Sequence, residues 1–477
     1  MNVAAKSSLL HLSLVDAAEA LKDGAISAVA LTQAALDAFA RVDQDINSAI
    51  WLEPDVALEA AEALDRKRAT GAALSLLHGV PLAHKDMYYK AGKRSTCGSA
   101  IRADFVPTYT ATVIERLEAA GSVTLGALNM AEFAQNPTGH NRHYGNCGNP
   151  WNPAYCTGGS SSGSGAAVAA RLVFGALGSD TGGSIRLPAA ICGITGIKPT
   201  QTRVSRYGVM PLSFSADNVG PLTRTARDAA RFLKVIAGHD PKDPTSAREP
   251  VADYEAALTG DLSGMTIGVP TNYFFDGIDA EVQAAFDVAV AVLKARGARI
   301  LSVTIPHMDA VAAYGGILSR CEAGAIHGEW MRSRPQDYAV HLSARLYSPQ
   351  AIPAVYYIEA MSRRGPILKA VAKDVFSVCN AFITPTLRMK VPTLAATDID
   401  AGTPNAIETF NDVSINTRPI NYLGLPSVSV PCGLDANGLP IGFQIQGRPF
   451  AEARVLAIAD AYQRDTDWHR RLPPHVA

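Results

Sequence analysis

The chain has 477 residues, 48% hydrophobic and 18% charged, with a formal net charge of −1 at pH 7. That balance excludes extended disorder, and the near-zero charge offers no basic footprint for nucleic acid or an acidic membrane. Seven cysteines without a CxxC, and eleven histidines without HExxH or zinc-like spacing, point to reduced, buried thiols and give no sequence support for a metal or cofactor site.

The opening MNVAAKSSLLHLSLVDAAEA has one early Lys and a short apolar run broken by His11 and Asp16. It makes a poor leader peptide, and no stretch approaches the ~20 apolar residues of a membrane helix, so a cytoplasmic location is expected. Ser13-Leu-Val-Asp16 resembles a capping box with Gly24 as the stop, and Ser27 caps a second helix to about Val42. HGVPLAHKD (78–86) reads as a strand end or loop. Residues 110–129 read as a helix (TATVIERLEAAG) followed by an apolar strand (SVTLGAL). AYCTGG (154–159), after NPWNP, reads as loop.

Further on, MTIGVP (265–270), AEVQAAFDVAVAVLKARG (280–297) and ARILSVTIP (298–306) form a β-α-β pattern, which favours parallel strands with helices on the sheet faces. The stretch 238–262 reads as a surface connection, and about 308–375 as mainly helical. AFITPTL is strand-like. PSVSVPCG (426–433) and PIGFQIQG (440–447) are strands joined by the turn Asp435-Ala-Asn-Gly438, and a last helix covers about 451–465. Length alone suggests roughly two to four domains, yet no repeat or low-complexity linker divides the chain.

Two loops carry the chemistry. CTGGSSSGSGAAVAA begins at Cys156, and GSDTGGSIRLPA spans 178–189. Glycines let the backbone approach a ligand, and Thr181-Gly182-Gly183-Ser184 can turn successive N–H groups to one point, the geometry of an oxyanion hole beside a nucleophilic hydroxyl. A serine hydroxyl needs a base. No histidine lies in either loop, whereas Lys85 sits in an apolar stretch where burial would lower its pKa.

Lys85 in HGVPLAHKD, the loop GGSSSGSG and the element GSDTGGSIRLPA resemble the amidase signature family of serine hydrolases. The resemblance extends through MAEFAQN (130–136), GITGIKPT (193–200), GPLTRTARDAA (220–230) and LGLPSVSVPCG…GLPIGFQIQG. It implies an α/β fold in which a large twisted mixed β-sheet is covered by helices on both faces. It also implies a single amidase domain over 1–477, with a mainly helical substrate-side region at about 308–375. Carried over by motif position, Ser184 is the nucleophile, Ser160 the bridging serine after a cis peptide, and Lys85 the base. The N–H groups of Thr181, Gly182, Gly183 and Ser184 would hold the oxyanion, and Ala134 would present backbone to the pocket. Asp180 and Arg186 would brace the loop. The implied activity is cofactor-independent cleavage of a small carboxamide, with carbamates and esters as alternatives. A homodimer is expected only by analogy.

Two departures stand out: Ser162 occupies a usual glycine place, where it would either narrow the site or bond locally, and His84 occupies a commonly aliphatic one, where it would either tune Lys85 or simply pack. Taken singly, Lys85-Asp86 would be a surface pair and each serine-glycine run a flexible turn; their joint occurrence in order reverses that. Cys156 and Cys192 read as buried thiols rather than nucleophiles. Glu322 and His327 read as helix packing ahead of substrate contact, and pocket residues are expected from 308–375 and around Tyr88, Tyr89 and Asn136. Three rivals remain. Gly159-Ser-Ser161-Ser-Gly163 fits the nucleophile elbow of α/β-hydrolases, a glycine-rich loop could bind an anion at a helix N-terminus, and a member of the same family could release ammonia for a partner, as one component of an amidotransferase.

Overall fold

Thirteen strands are laid down in chain order in the computed structural model, which describes residues 9–474 and 476. The strands are β1 (Ala49–Leu52), β2 (Pro81–Lys85), β3 (Val123–Leu128), β4 (Gly148–Asn149), β5 (Asn152–Cys156), β6 (Gly175–Ser179) and β7 (Thr195–Lys198). After them come β8 (Val219–Thr223), β9 (Thr266–Pro270), β10 (Arg299–Val303), β11 (Ala381–Pro385), β12 (Ser427–Leu434) and β13 (Pro440–Gly447). Eleven of them form one sheet in the order β1-β3-β2-β6-β8-β7-β12-β13-β11-β9-β10, and β4 and β5 pair separately. The sheet is mixed: β2 runs parallel to both β3 and β6, while β8 is antiparallel to both β6 and β7. Helices cover both faces, as expected. Residues 1–8, on which part of the leader reading rests, lie outside the described residues.

Local chemistry explains the elements. Ser13 accepts a bond from Asp16 N at 3.0 Å and starts the helix Leu14–Lys22, and Gly24 takes φ 76 just beyond its end. Ser27 caps the next helix through Ala30 N. That helix continues past Val42 to Ile46, because Ile46 is itself core-facing and fully buried, and Asn47 then stops it in the left-handed region. The β-α-β unit is present as β9, the helix Ala280–Ala295 and β10, with Ile267 beside Ile300 in a parallel register. In the stretch 308–375 lie the helices Met308–Ser333, Val340–Tyr347 and Ala354–Asp374. Residues 238–262 carry no helix or strand but bury Tyr254 and Leu262 against the core.

Two expectations change. HGVPLAHKD is neither a loop nor merely a strand end: Pro81–Lys85 is a central strand, buried throughout and paired on both sides. A strand covered on both faces has no alternation to read. AYCTGG is not all loop either, since β5 ends at Cys156. That strand pairs with β4 in a small hairpin rather than joining the main sheet, so it is not the central strand a nucleophile elbow leaves from.

Candidate active site

The parallel neighbours β2 and β6 set the site. Their carboxyl ends place Lys85 and Ser179 side by side, and the crevice at the carboxyl ends of parallel strands is where such sheets bind ligands. Lys85 Nζ donates to Ser160 Oγ at 2.7 Å and to Ser179 Oγ at 2.9 Å, in a pocket with no solvent exposure of its side chain. Burial, working against the weaker pull of Asp217 and Asp180, brings the Lys85 ammonium down to about 7. Asp86, its neighbour in sequence, is turned away and accepts from Thr96 N at 2.9 Å.

Ser160 follows a cis Gly159–Ser160 peptide, and its carbonyl accepts from Ala131 N at 3.1 Å. A Cβ on Gly159 would lie 2.3 Å from Asn136 O, so only glycine lets this loop meet the segment after Ala134. Ser161 is fully buried and bridges backward: its hydroxyl donates to Ser179 O and accepts from Ser179 N, each at 3.3 Å. That occupancy and burial leave it no approach to a ligand, which removes the basis for the elbow reading. Ser162 is buried too and donates to Asn129 O at 3.5 Å, so the added hydroxyl bonds locally and does not narrow the site.

The second loop leaves β6 directly. Asp180 is locked by Arg186, whose Nε donates to Oδ2 at 3.0 Å and whose second guanidinium arm donates to Oδ1 at 3.1 Å; Asn421 adds a bond to Oδ1 at 2.8 Å. Burial opposes the carboxylate, but Arg186 outweighs it and holds Asp180 down to about 2. Arg186 is wholly buried and also reaches Gln444 Oε1, Thr417 O and Asn421 Oδ1, so the expected bracing role is what the contacts provide.

Asp180 also shapes the backbone. Gly183 N donates to its Oδ1 at 2.8 Å, with Ile185 N and Arg186 N on Oδ2. Of the four amides expected to face an oxyanion, Gly183's is therefore committed inward. Those of Thr181, Gly182 and Ser184 have no protein acceptor among the described residues. Gly183 has φ 132, and a Cβ there would lie 2.2 Å from Thr417 Oγ1. The Thr181 hydroxyl is held by Asp217, which in turn accepts from Leu212 N and Ser213 N.

Ser184 opens onto a cavity of about 70 Å³ that is also lined by Ala134, Asn136, Thr181, Gly182, Arg345 and Arg418. Ala134 sits there at φ 61, in the left-handed turn after Phe133. The Met308–Ser333 helix contributes Gly315, Leu318 and Ser319, within the stretch expected to face substrate. Tyr88 and Tyr89 do not line it. Tyr88 is buried with its hydroxyl on Gly178 O at 2.6 Å, and Tyr89 packs against Phe105 and Tyr109. Glu322 accepts from Tyr357 Oη and Ser215 N, and His327 is buried against Phe133 with Nδ1 on Tyr338 Oη, so both serve packing outside this cavity. His84 packs edge-on between Trp51 and Tyr88, and burial lowers it to about 4, so it carries no charge beside Lys85 at neutral pH. Burial pushes both thiols near the loops up, Cys156 to about 12, which leaves them inert as nucleophiles. Arg345 falls within the stretch expected to face substrate, whereas Ser414, Arg418 and Asn421 are cavity residues that sequence reasoning misses; they arrive from segments far along the chain, with no local motif to mark them.

Known proteins resemble this chain in sequence and fold. A model of the Amidase family matches residues 30–456. The chain is 42% identical to a glutamyl-tRNA(Gln) amidotransferase subunit from Chloroflexus aggregans, over 97% of this chain and 98% of that protein. It resembles a solved structure described as "An unexpected vestigial protein complex reveals the evolutionary origins of an s-triazine catabolic enzyme", with a TM-score of 0.89 and 32% identity, covering 95% of this chain and 98% of that one. The peptide amidase PAM, solved with the competitive inhibitor chymostatin, matches with a TM-score of 0.82 and 29% identity over 97% and 98% of the two chains.

Proposed function

Because the chain belongs to the amidase family, we propose that it breaks a carboxamide C–N bond through an acyl-enzyme on Ser184, with Lys85 as base and Ser160 as relay. The observation that carries this reading is the buried Lys85 Nζ, 2.7 Å from Ser160 Oγ and brought down to about 7. At neutral pH a large share of such a lysine is the free amine, which accepts a proton where an ordinary lysine cannot.

In this mechanism Ser160 gives its proton to Lys85 and takes the proton of Ser184 as the Ser184 oxygen attacks the amide carbonyl. The negative charge that develops on the carbonyl oxygen is met by the amides of Thr181, Gly182 and Ser184, held in place by the Asp180–Arg186 lock. The proton returns through Ser160 to the leaving nitrogen, the C–N bond breaks, and the acyl group stays on Ser184. Water then enters, loses its proton along the same relay, and releases the acid.

A second reading shares this half-reaction and differs in the fate of the ammonia. The curated relative described above is named as one component of an amidotransferase, and likeness over nearly the full length of both chains supports a chain that supplies ammonia to a protein partner. Hydrolysis of a panel of primary amides, carbamates and esters by the purified chain tests the shared reading. We expect Ser184→Ala to remove turnover and Lys85→Ala to lower it by about 10³-fold or more, with circular dichroism unchanged. Full activity in either variant would overturn the mechanism. A stable co-purifying protein that raises amide hydrolysis by the chain favours the second reading over a free-standing hydrolase.

A further inference from the structure

A second cavity, of about 410 Å³, lies at the amino end of β6, whose other end carries Ser179 and meets Lys85. Two helices begin at it. Ser13 caps Leu14–Lys22, Thr225 caps Ala226–Ile236, and both cap residues line the cavity. Buried Asp228 ties the two amino ends together, accepting from Val15 N at 3.0 Å and from Thr225 N at 3.2 Å. Helix amino ends carry partial positive charge and favour an anion in front of them. Each cap oxygen accepts from its own helix, Ser13 from Asp16 N and Thr225 from Asp228 N, each at 3.0 Å. Each hydroxyl thus keeps a proton to donate.

Arginines add full charges. Arg171, Arg224 and Arg470 line the cavity, and none of them forms an ion pair among the described residues. The two other arginines there are paired, Arg227 with Glu255 and Arg464 with Asp460. Arg224 is fixed by carbonyls, those of Leu10, Leu12 and Val173. Arg171 is not. It is only 6% exposed, yet its one side-chain bond among the described residues is long, Nη2 to His469 O at 3.4 Å, and its Nε has no partner. It also sits at φ 59, where glycine is at ease, so the turn itself gives no reason for an arginine. Burial brings Arg171 down to about 10 against the pull of Asp228, which leaves it charged at neutral pH. His11 and His469, also in the lining, are lowered by burial first and then by arginines, Arg171 among them. Of the acids in the lining, Asp460 is taken by Arg464 and Asp16 is exposed.

We propose that this cavity binds a small-molecule phosphate, held by Arg171, Arg470 and the Ser13 and Thr225 hydroxyls. A phosphate offers three acceptor oxygens and nearly two charges to several donors at once, whereas a carboxylate brings two oxygens and one charge. The volume falls in the range of about 300–1,000 Å³ usual for small-molecule sites, enough for a phosphate ester with a small organic body. A nucleic-acid strand is a poor fit, because Arg171 lies below the surface, out of reach of a phosphate strung along a backbone. The cavity shares no lining residue with that of Ser184, so the inference stands whatever amide is cleaved.

Titration calorimetry of the intact chain at physiological salt tests this with inorganic phosphate, glycerol 3-phosphate and acetate. We expect saturable one-to-one binding of glycerol 3-phosphate with a Kd below about 1 mM, and none of acetate. Tighter binding of the ester than of inorganic phosphate would identify an esterified ligand, and the reverse would identify free phosphate in the same site. Arg171→Gly places at φ 59 a residue suited to it, so the thermal midpoint without ligand should hold or rise. In that variant the Kd for glycerol 3-phosphate should rise about tenfold to a hundredfold, the range of a hydrogen bond to a charged group. Arg470→Ala, at an exposed position, should weaken binding in the same direction. Binding unchanged by both substitutions, or no saturable binding of either phosphate below about 10 mM, would overturn the inference. So would acetate binding as tightly as phosphate, or an RNA oligonucleotide binding through Arg171 while both small phosphates fail.

Discussion

At the residue scale, the proposed chemistry depends on holding Lys85 partly neutral with no carboxylate hydrogen-bonded to it among the described residues. Its hydrogen-bond partners are serine hydroxyls, and burial is the largest force on its proton. The sign for activity follows directly. Below about pH 7 Lys85 is protonated and cannot accept from Ser160, so kcat/KM should fall about tenfold per pH unit on acidification and level off above pH 8. A profile flat to pH 5 would show that a different group serves as base. The Asp180–Arg186 lock makes a second prediction. Asp180→Asn leaves Arg186 buried and uncompensated, a change worth about 3–5 kcal/mol in buried pairs, and it weakens the anchor of the Gly183 amide. Denaturant unfolding should show that loss together with a fall in kcat, and an unchanged midpoint would mean that Asn421 and Gln444 alone hold the loop.

At the element scale, the groups proposed to be catalytic come from strand ends and from the lead-in to one short helix. Ser160 enters the site because the helix Ser162–Ala169 is seated tightly on the chain at Ser48 and Asn129. A Cβ on Gly163 would lie 2.2 Å from Ser48 O and 2.5 Å from Asn129 N, backbone atoms that cannot swing aside. Gly163→Ala should therefore lower both the thermal midpoint and kcat, while Gly277→Ala, where no atom lies within 4 Å but φ is 69, should lower stability alone. Equal activity in the Gly163 variant and the parent would show that the relay tolerates movement of this helix. Helix ends set by Ser13, Ser27 and Gly24 were legible because capping acts between residues close in sequence. The strand Pro81–Lys85 was not, since a strand buried on both faces carries no alternating pattern. The short strand before Cys156 was hidden for another reason: β4 and β5 form a small hairpin in which Asn, Gly and Pro residues mimic a loop.

At the scale of the whole molecule, the sheet order brings together parts that no window of sequence joins. Lys85 and Ser179 become neighbours because β2 and β6 pair across the segment that holds β3 to β5. The groups proposed to react could be singled out from sequence because each lies in a dense local motif resembling one family. The substrate side was legible only as stretches, 308–375 and the surroundings of Asn136. Ser414, Arg418 and Asn421 meet the cavity only after the segment before β12 folds over the strand ends, and single residues in such a segment carry no signal of their own. A fluorophosphonate probe followed by mass-spectrometric mapping of the modified residue tests the central claim most directly. Single labelling on Ser184, lost in Lys85→Ala, is the predicted result; labelling on Ser161, or none while amide hydrolysis proceeds, would contradict the mechanism.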